Sequence, residues 1–295
     1  MKLRGRLIIV TGASSGLGRA IARDLAIREE ADVVLAARRR DRLESLRDEI
    51  VAAGRGRAWV CEVDVAAAGG SEFLIAEASA IAAARTSAGG ALPFGLVNNA
   101  GITHYGRVSE MSEDDLARVL DLNVAATMEL TRSFLRLVSA REPAATSHDR
   151  RRESEPRAAI LTITSIAAHL AVPYQAAYAA SKHALHGFCS SLWFELRRAA
   201  RDGGPRIVTS EFAPGGIATE MIERSGLDER FEMRDVAKSP VLAPAEKVAR
   251  AAVRAWKRER RSVVGGIANK LTVAAARFLP VALTGRMAER LYRPK

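Results

Sequence analysis

The chain has 295 residues, 48% of them apolar, and a formal net charge of +11. Such a length and composition exclude a disordered or fibrous protein and suit one large α/β domain or two small ones. The two cysteines, Cys61 and Cys189, stand in apolar segments without CxxC or Cys/His spacing, so no disulfide scaffold and no metal site is expected, only reduced thiols in a cytoplasmic protein.

The charge is unevenly placed, since Glu246 to Lys295 holds 13 Lys or Arg against 3 Asp or Glu and so carries most of the excess. A basic tail is indicated rather than a basic protein. The opening MKLRGRLIIVTG offers only four consecutive apolar residues before a glycine, too few for a signal peptide. No segment reaches the roughly 18 apolar residues of a membrane span.

In chain order, the apolar runs RLIIVT, ADVVLAA, RAWVCEVDV, FGLVNNAG, AAILTIT and RIVTSEF predict strands buried on both faces. Between and after them, helical patterns fall near 16–29, 40–53, 71–84, 112–140, 174–201 and 243–258. Alternation of this kind predicts an α/β fold, a Rossmann-like doubly wound parallel sheet of about seven strands with helices on both faces. Residues 1–266 would form this domain, with residues 141–157 a polar surface insertion and 267–295 a C-terminal helical extension.

The first strand enters TGASSGLGRAIA, where Gly12, Gly16 and Gly18 mark a tight turn opening a helix. Backbone N–H groups there can close on a pyrophosphate at the positive end of the helix dipole. The plainer reading is an ordinary βα turn, because the spacing is not GxGxxG. At the end of the second strand, VVLAARRRDRL puts Ala36 and Ala37 where an acid would accept the ribose hydroxyls of NAD. Arginines follow, which favours the 2′-phosphate of NADP(H). Arg38 is the first choice for that contact and Arg39 the second; Arg40 and Arg42 stand beside acids.

Further on lie NNAG at Asn98 to Gly101, Asn123, Ser165, YAASK ending at Lys182, and PGGIAT at Pro214 to Thr219. Together with TGASSGLG, in this order, the set resembles the short-chain dehydrogenase/reductase family over about residues 5–266, its NADP-preferring, hydroxysteroid dehydrogenase-like members included. The resemblance implies a phosphate-binding turn of Gly12, Ser14, Ser15, Gly16, Leu17 and Gly18, with Asp64 and Val65 beside the adenine. It implies that Asn99, Ala100 and Gly101 line the cofactor and that Pro214, Gly215, Ile217 and Thr219 hold the nicotinamide amide. Asn123, Ser165, Tyr178 and Lys182 would be the catalytic four, with Tyr178 and Lys182 also touching cofactor. In the family, the position of Asn123 interrupts its helix and binds a water that refills a proton relay.

The chemistry behind the Tyr178 and Lys182 spacing is electrostatic. Side chains four apart on a helix share one face, and an ammonium ~4 Å from a phenolate stabilises it by about 4 kcal/mol at an effective dielectric constant of ~20. The phenol thereby becomes a usable proton donor near neutral pH. Small residues around it, Ala176 to Ser181, would let a flat cofactor approach. Ser165 would donate to the substrate oxygen. His169, Leu170, Tyr174 and Met221, with His104, Tyr105 and Val172 nearby, suggest a pocket wall more apolar than charged. A small apolar carbonyl or alcohol substrate follows.

After residue 266, Ile267, Leu271, Ala274 and Phe278 recur on one helical face up to Pro280; Leu283, Met287 and Leu291 follow, with Arg286, Arg290 and Arg293. This stripe suits an anionic membrane surface, at the inner face of the membrane, or equally the domain itself or a partner subunit. The family resemblance implies a homodimer or homotetramer. Nucleic acid is not expected, because the basic residues lack interleaved aromatics. The alternatives are a non-catalytic NADP(H) sensor on the same fold, disfavoured by the filled catalytic positions, and a sugar-nucleotide enzyme, disfavoured by TGxxxGxG.

Overall fold

A computed structural model describes residues 1–85, 92–140, 155–217, 220 and 242–292. Seven strands form one parallel sheet in the order β3-β2-β1-β4-β5-β6-β7. They are β1 (Leu7–Thr11), β2 (Asp32–Ala37), β3 (Ala58–Glu62), β4 (Gly95–Asn98), β5 (Ala158–Ile163), β6 (Ile207–Ala213) and β7 (Ser262–Val264). The helices are α1 (Gly16–Arg23), α2 (Arg40–Ala53), α3 (Gly70–Ala84), α4 (Glu113–Leu120), α5 (Ala126–Ser139), α6 (Ala176–Arg201), α7 (Ala245–Lys257), α8 (Ile267–Phe278) and α9 (Val281–Tyr292).

The apolar runs become buried strands because helices cover both faces. Along β1, Ile8 and Val10 meet α1, α2 and α7 through Ile21, Leu46 and Trp256. Leu7 and Ile9 point the other way, toward Leu74 of α3 and Phe134 of α5, as the two-residue period of a strand requires. Strand β3 departs from the expectation of burial on both faces: it is the sheet edge, and only Cys61 in it is buried. The helical stretch over 112–140 is two helices joined by a π-helical turn, Asp121–Ala125, and α1 likewise runs into a π turn at Asp24–Arg28.

Strand order reverses between β1 and β4, so the chain leaves the sheet in opposite directions there. The crevice beyond the carboxyl ends of these strands is where open α/β sheets bind ligands.

Candidate active site

The crevice is built from the backbone outward. Gly12 leaves β1 at φ +66°, a conformation open to glycine, and a Cβ there would stand 2.9 Å from Asn99 Nδ2. Thr11 fastens the two loops. Its Oγ1 donates to the Val97 carbonyl at 3.1 Å and accepts from the Asn99 and Ala100 N–H groups at 3.0 and 3.1 Å.

A cleft of about 730 Å³ follows this edge. Gly12, Ser14, Ser15, Gly16, Leu17 and Gly18 line one end, with Arg38, Arg39, Asp64 and Val65 beside them. Asn99, Ala100 and Gly101 form its middle, and Lys182, Pro214 and Ile217 its far end. The size, the glycine turn at a helix N-terminus and the flanking arginines fit a dinucleotide.

At the far end Lys182 is buried, and burial brings its pKa down from 10.5 to about 8. Its Nζ lies 5.6 Å from the centroid of the Tyr178 ring and 3.4 Å from the Ile163 carbonyl. A Cβ on Gly101 would stand 3.5 Å from that Nζ and 3.0 Å from Asn123 Oδ1, so a side chain there would crowd both groups. Asn123 occupies the π turn and is fully buried. Its Nδ2 donates to the Ile102 carbonyl at 2.9 Å and to Ser181 Oγ at 3.0 Å, and its Oδ1 accepts from the Ile102 N–H at 2.9 Å. Ser181 in turn donates to the Tyr178 carbonyl at 2.7 Å. One amide thus ties the β4 exit to the helix carrying Tyr178 and Lys182.

Residues 6–230 match the family model for short chain dehydrogenase. The chain belongs to the short-chain dehydrogenase family. This family comprises nicotinamide-dependent oxidoreductases. Mouse dehydrogenase/reductase SDR family member 7B is 30% identical over 223 residues, which is 74% of this chain and 60% of that protein; the chain therefore spans less than two thirds of that relative. A short-chain dehydrogenase from Burkholderia phymatum, solved in complex with NAD, is 25% identical with a TM-score of 0.76 and covers 100% of this chain and 98% of its own. A 3-oxoacyl (acyl-carrier-protein) reductase from Agrobacterium tumefaciens with NADP bound is also 25% identical, with a TM-score of 0.68, covering 90% and 95%.

In the cleft the two candidate arginines separate. Arg38, first choice from the sequence, is 67% exposed and lies 3.5 Å from Asp64. Arg39, the residue before α2, sends Nη2 to Ser14 Oγ at 3.0 Å and Ser15 Oγ at 2.8 Å, over the glycine turn. Glu220, which sequence reading did not single out, accepts from Arg39 at 3.1 Å and also pairs with Arg42. Those Arg42 and Arg39 bonds hold its carboxyl below the usual range.

Other candidates scatter. Ser165 and Tyr178 are not part of the cleft lining. Gly215 faces Asn269 of α8, whose Nδ2 would lie 2.4 Å from a Cβ there. Among the wall residues, Tyr174 packs on Tyr105 with ring centroids 6.0 Å apart, and Leu170 is partly exposed. His169 turns to His186 rather than into the cleft. Thr219, Met221 and most of the 141–157 insertion lie outside the described residues. Burial pushes the thiols of Cys61 and Cys189 up to about 11 and about 12, so neither is a ready nucleophile.

Proposed function

We propose that the chain transfers a hydride between NADP(H) and the carbonyl or alcohol carbon of a small to medium, apolar ketone, aldehyde or secondary alcohol. The observation that carries this reading is the buried Lys182 ammonium, set beneath the Tyr178 ring at the end of a cleft that begins at a glycine turn. A buried cation of this kind favours a neighbouring anion, and the phenolate left after proton delivery is that anion.

Bound nicotinamide supplies or accepts the hydride. Tyr178 delivers the proton to the developing alkoxide, or takes it in the reverse direction. Lys182 stabilises the resulting phenolate. Ser165, whose Oγ accepts the Ala167 N–H at 3.1 Å, keeps its own hydrogen for the substrate oxygen and so lowers charge in the transition state. Asn123 has spent both amide hydrogens on protein acceptors; its side chain positions the relay rather than carrying protons. Arg39, with Ser14 and Ser15, holds the 2′-phosphate, and Arg38 guards the adenine side.

The preference for NADP(H) rests on Arg39 and on Ala37 at the end of β2. The apolar character of the substrate rests on the composition of the pocket wall read from the sequence, since Tyr105 and Tyr174 pack on each other outside the cleft lining. Titration of the purified chain with NADPH and NADH, followed by a ketone and aldehyde panel on the tighter cofactor, tests the reading. Tighter NADPH binding with turnover is expected. Preference for NADH would overturn the arginine assignment, and binding without turnover would favour the sensor.

Residues 1–266 form the catalytic unit in this reading and 267–295 an added interaction segment. Among the described residues no helix is long and apolar enough to cross a membrane. The stripe on α8 is turned outward, with Ile267 79% and Phe278 88% exposed, while Val273 on the opposite side is buried. Exposed Val281 and Met287 of α9 continue it, near Arg277 and Arg286. An anionic membrane surface fits that pairing of apolar and cationic groups. The exposed Phe194 on α6 and a groove between α5 and α6 lined by Leu135 and Phe188 support a homodimer or homotetramer.

A further inference from the structure

Behind the catalytic face of α6 lies a second cluster that hydride transfer does not use. Glu211 on β6 is 2% exposed. A carboxylate so deeply placed is costly unless compensated. Among the described residues its ion-pair partner is His186 of α6, whose Nδ1 lies 2.8 Å from Oε2 and 3.0 Å from Oε1. Thr164 Oγ1 donates to Oε1 at 2.8 Å. Among the described residues no lysine or arginine pairs with it.

The third member is His169, in the turn after β5. Its ring stands edge-on to His186, with centroids 4.4 Å apart and planes at 73°. His169 Nε2 is buried and, among the described residues, has no hydrogen-bond partner. A nitrogen sealed from water with nothing to bond loses its hydration without return. The two imidazoles and the carboxylate each offer one ligand atom, and these three atoms lie within 4.8 Å of one another.

We propose that His169, His186 and Glu211 bind a divalent transition-metal ion of the zinc type. Two imidazoles and a carboxylate are the donor set such ions accept, and a water completes four-coordination. Bonds of about 2.0–2.2 Å place tetrahedral ligand atoms roughly 3.3 Å apart. The His186 and Glu211 atoms open slightly to reach that spacing, while His169 closes in. Thr164 serves as the outer partner that orients the carboxylate. Arg277 acts on His169 electrostatically, but less than Glu211 does.

An ion at this position ties the turn that carries Ser165 to both α6 and β6. The three ligands come from three separate elements, so no short spacing in the sequence announces them. The absence of a cysteine motif, on which the metal-free expectation rested, does not bear on this site.

The test uses the full chain, stripped with chelator and dialysed. Cobalt(II) is titrated by visible absorption and zinc(II) by calorimetry, with Tm followed in parallel. One ion per chain is expected, with the absorption of a four-coordinate nitrogen and oxygen site and a rise in Tm. His169→Gln and Glu211→Gln should each lose at least about tenfold in affinity, the loss that removing even an outer partner brings. Because His169 is partly exposed, its variant carries the test should Glu211→Gln fail to fold. Absence of stoichiometric binding, a thiolate charge-transfer band implicating Cys61 or Cys189, or unchanged affinity in a folded variant would each overturn the proposal.

Discussion

Replacing Lys182 by Met keeps the length and apolar stem of the side chain and deletes only its charge. In the wild type this ammonium is 5% exposed, its nearest described acceptor is the Ile163 carbonyl at 3.4 Å, and burial lowers its pKa from 10.5 to about 8. At 1.36 kcal/mol per pKa unit, that difference withholds about 3 kcal/mol of folding free energy at neutral pH. The folded pKa lies below the unfolded one, so between pH 8 and pH 10.5 the unfolded chain binds more protons and wild-type stability climbs. The variant lacks this dependence. Urea unfolding without cofactor at pH 7, 8, 9 and 10 should therefore show Lys182→Met more stable at pH 7 by up to about 3 kcal/mol. The gap should narrow steadily as pH rises. A variant less stable than wild type at pH 7, or a gap unaffected by pH, would refute the claim that this lysine is held charged at a cost for the sake of the site.

Three further outcomes are expected. Arg39→Ala should weaken NADPH about 10–100-fold, the loss of charge-assisted bonds worth about 1.5–3 kcal/mol, and leave NADH nearly unchanged; Arg38→Ala should do less, and the ratio of the two Kd values decides. Asn123→Ala strands the Ile102 N–H and C=O and should cost about 2–3 kcal/mol in denaturant unfolding, whereas a change under about 0.5 kcal/mol, typical of a surface substitution, would contradict its positioning role. Flotation with anionic vesicles should fall when residues 267–295 are removed or when Phe278 and Met287 are both changed to Asp; unchanged flotation would remove the membrane reading.

The architecture was largely legible because each local signal agreed with the next. Leu7–Thr11, Arg40–Ala53 and Ala158–Ile163 are dense in strand or helix formers and stop at glycine or a polar residue, so their limits fall close to the sequence reading. What escaped depends on contacts distant in the chain. Composition could not report that Arg39, extended before α2 (φ −97°, ψ 92°), reaches Ser14 and Ser15; the proposed preference for it over Arg38 rests on that. The π turn at Asp121–Ala125 falls at Asn123, where the family resemblance implies an interrupted helix, whereas the periodicity alone runs straight through 112–140. Strand β7 spans three residues, too few for alternation to register. The α8 stripe was visible as a periodicity, but a period cannot say whether its face is covered, and in the monomer it is not.

The central claim is that the hydroxyl of Tyr178 moves the substrate proton with Lys182 as its electrostatic support. Steady-state turnover of Tyr178→Phe, measured with NADPH on a carbonyl compound the wild type reduces and with cofactor binding confirmed intact, tests it most directly. A fall in kcat of about 10²–10⁴-fold is predicted, the range that loss of a positioned acid brings. Retention of wild-type kcat would contradict the account.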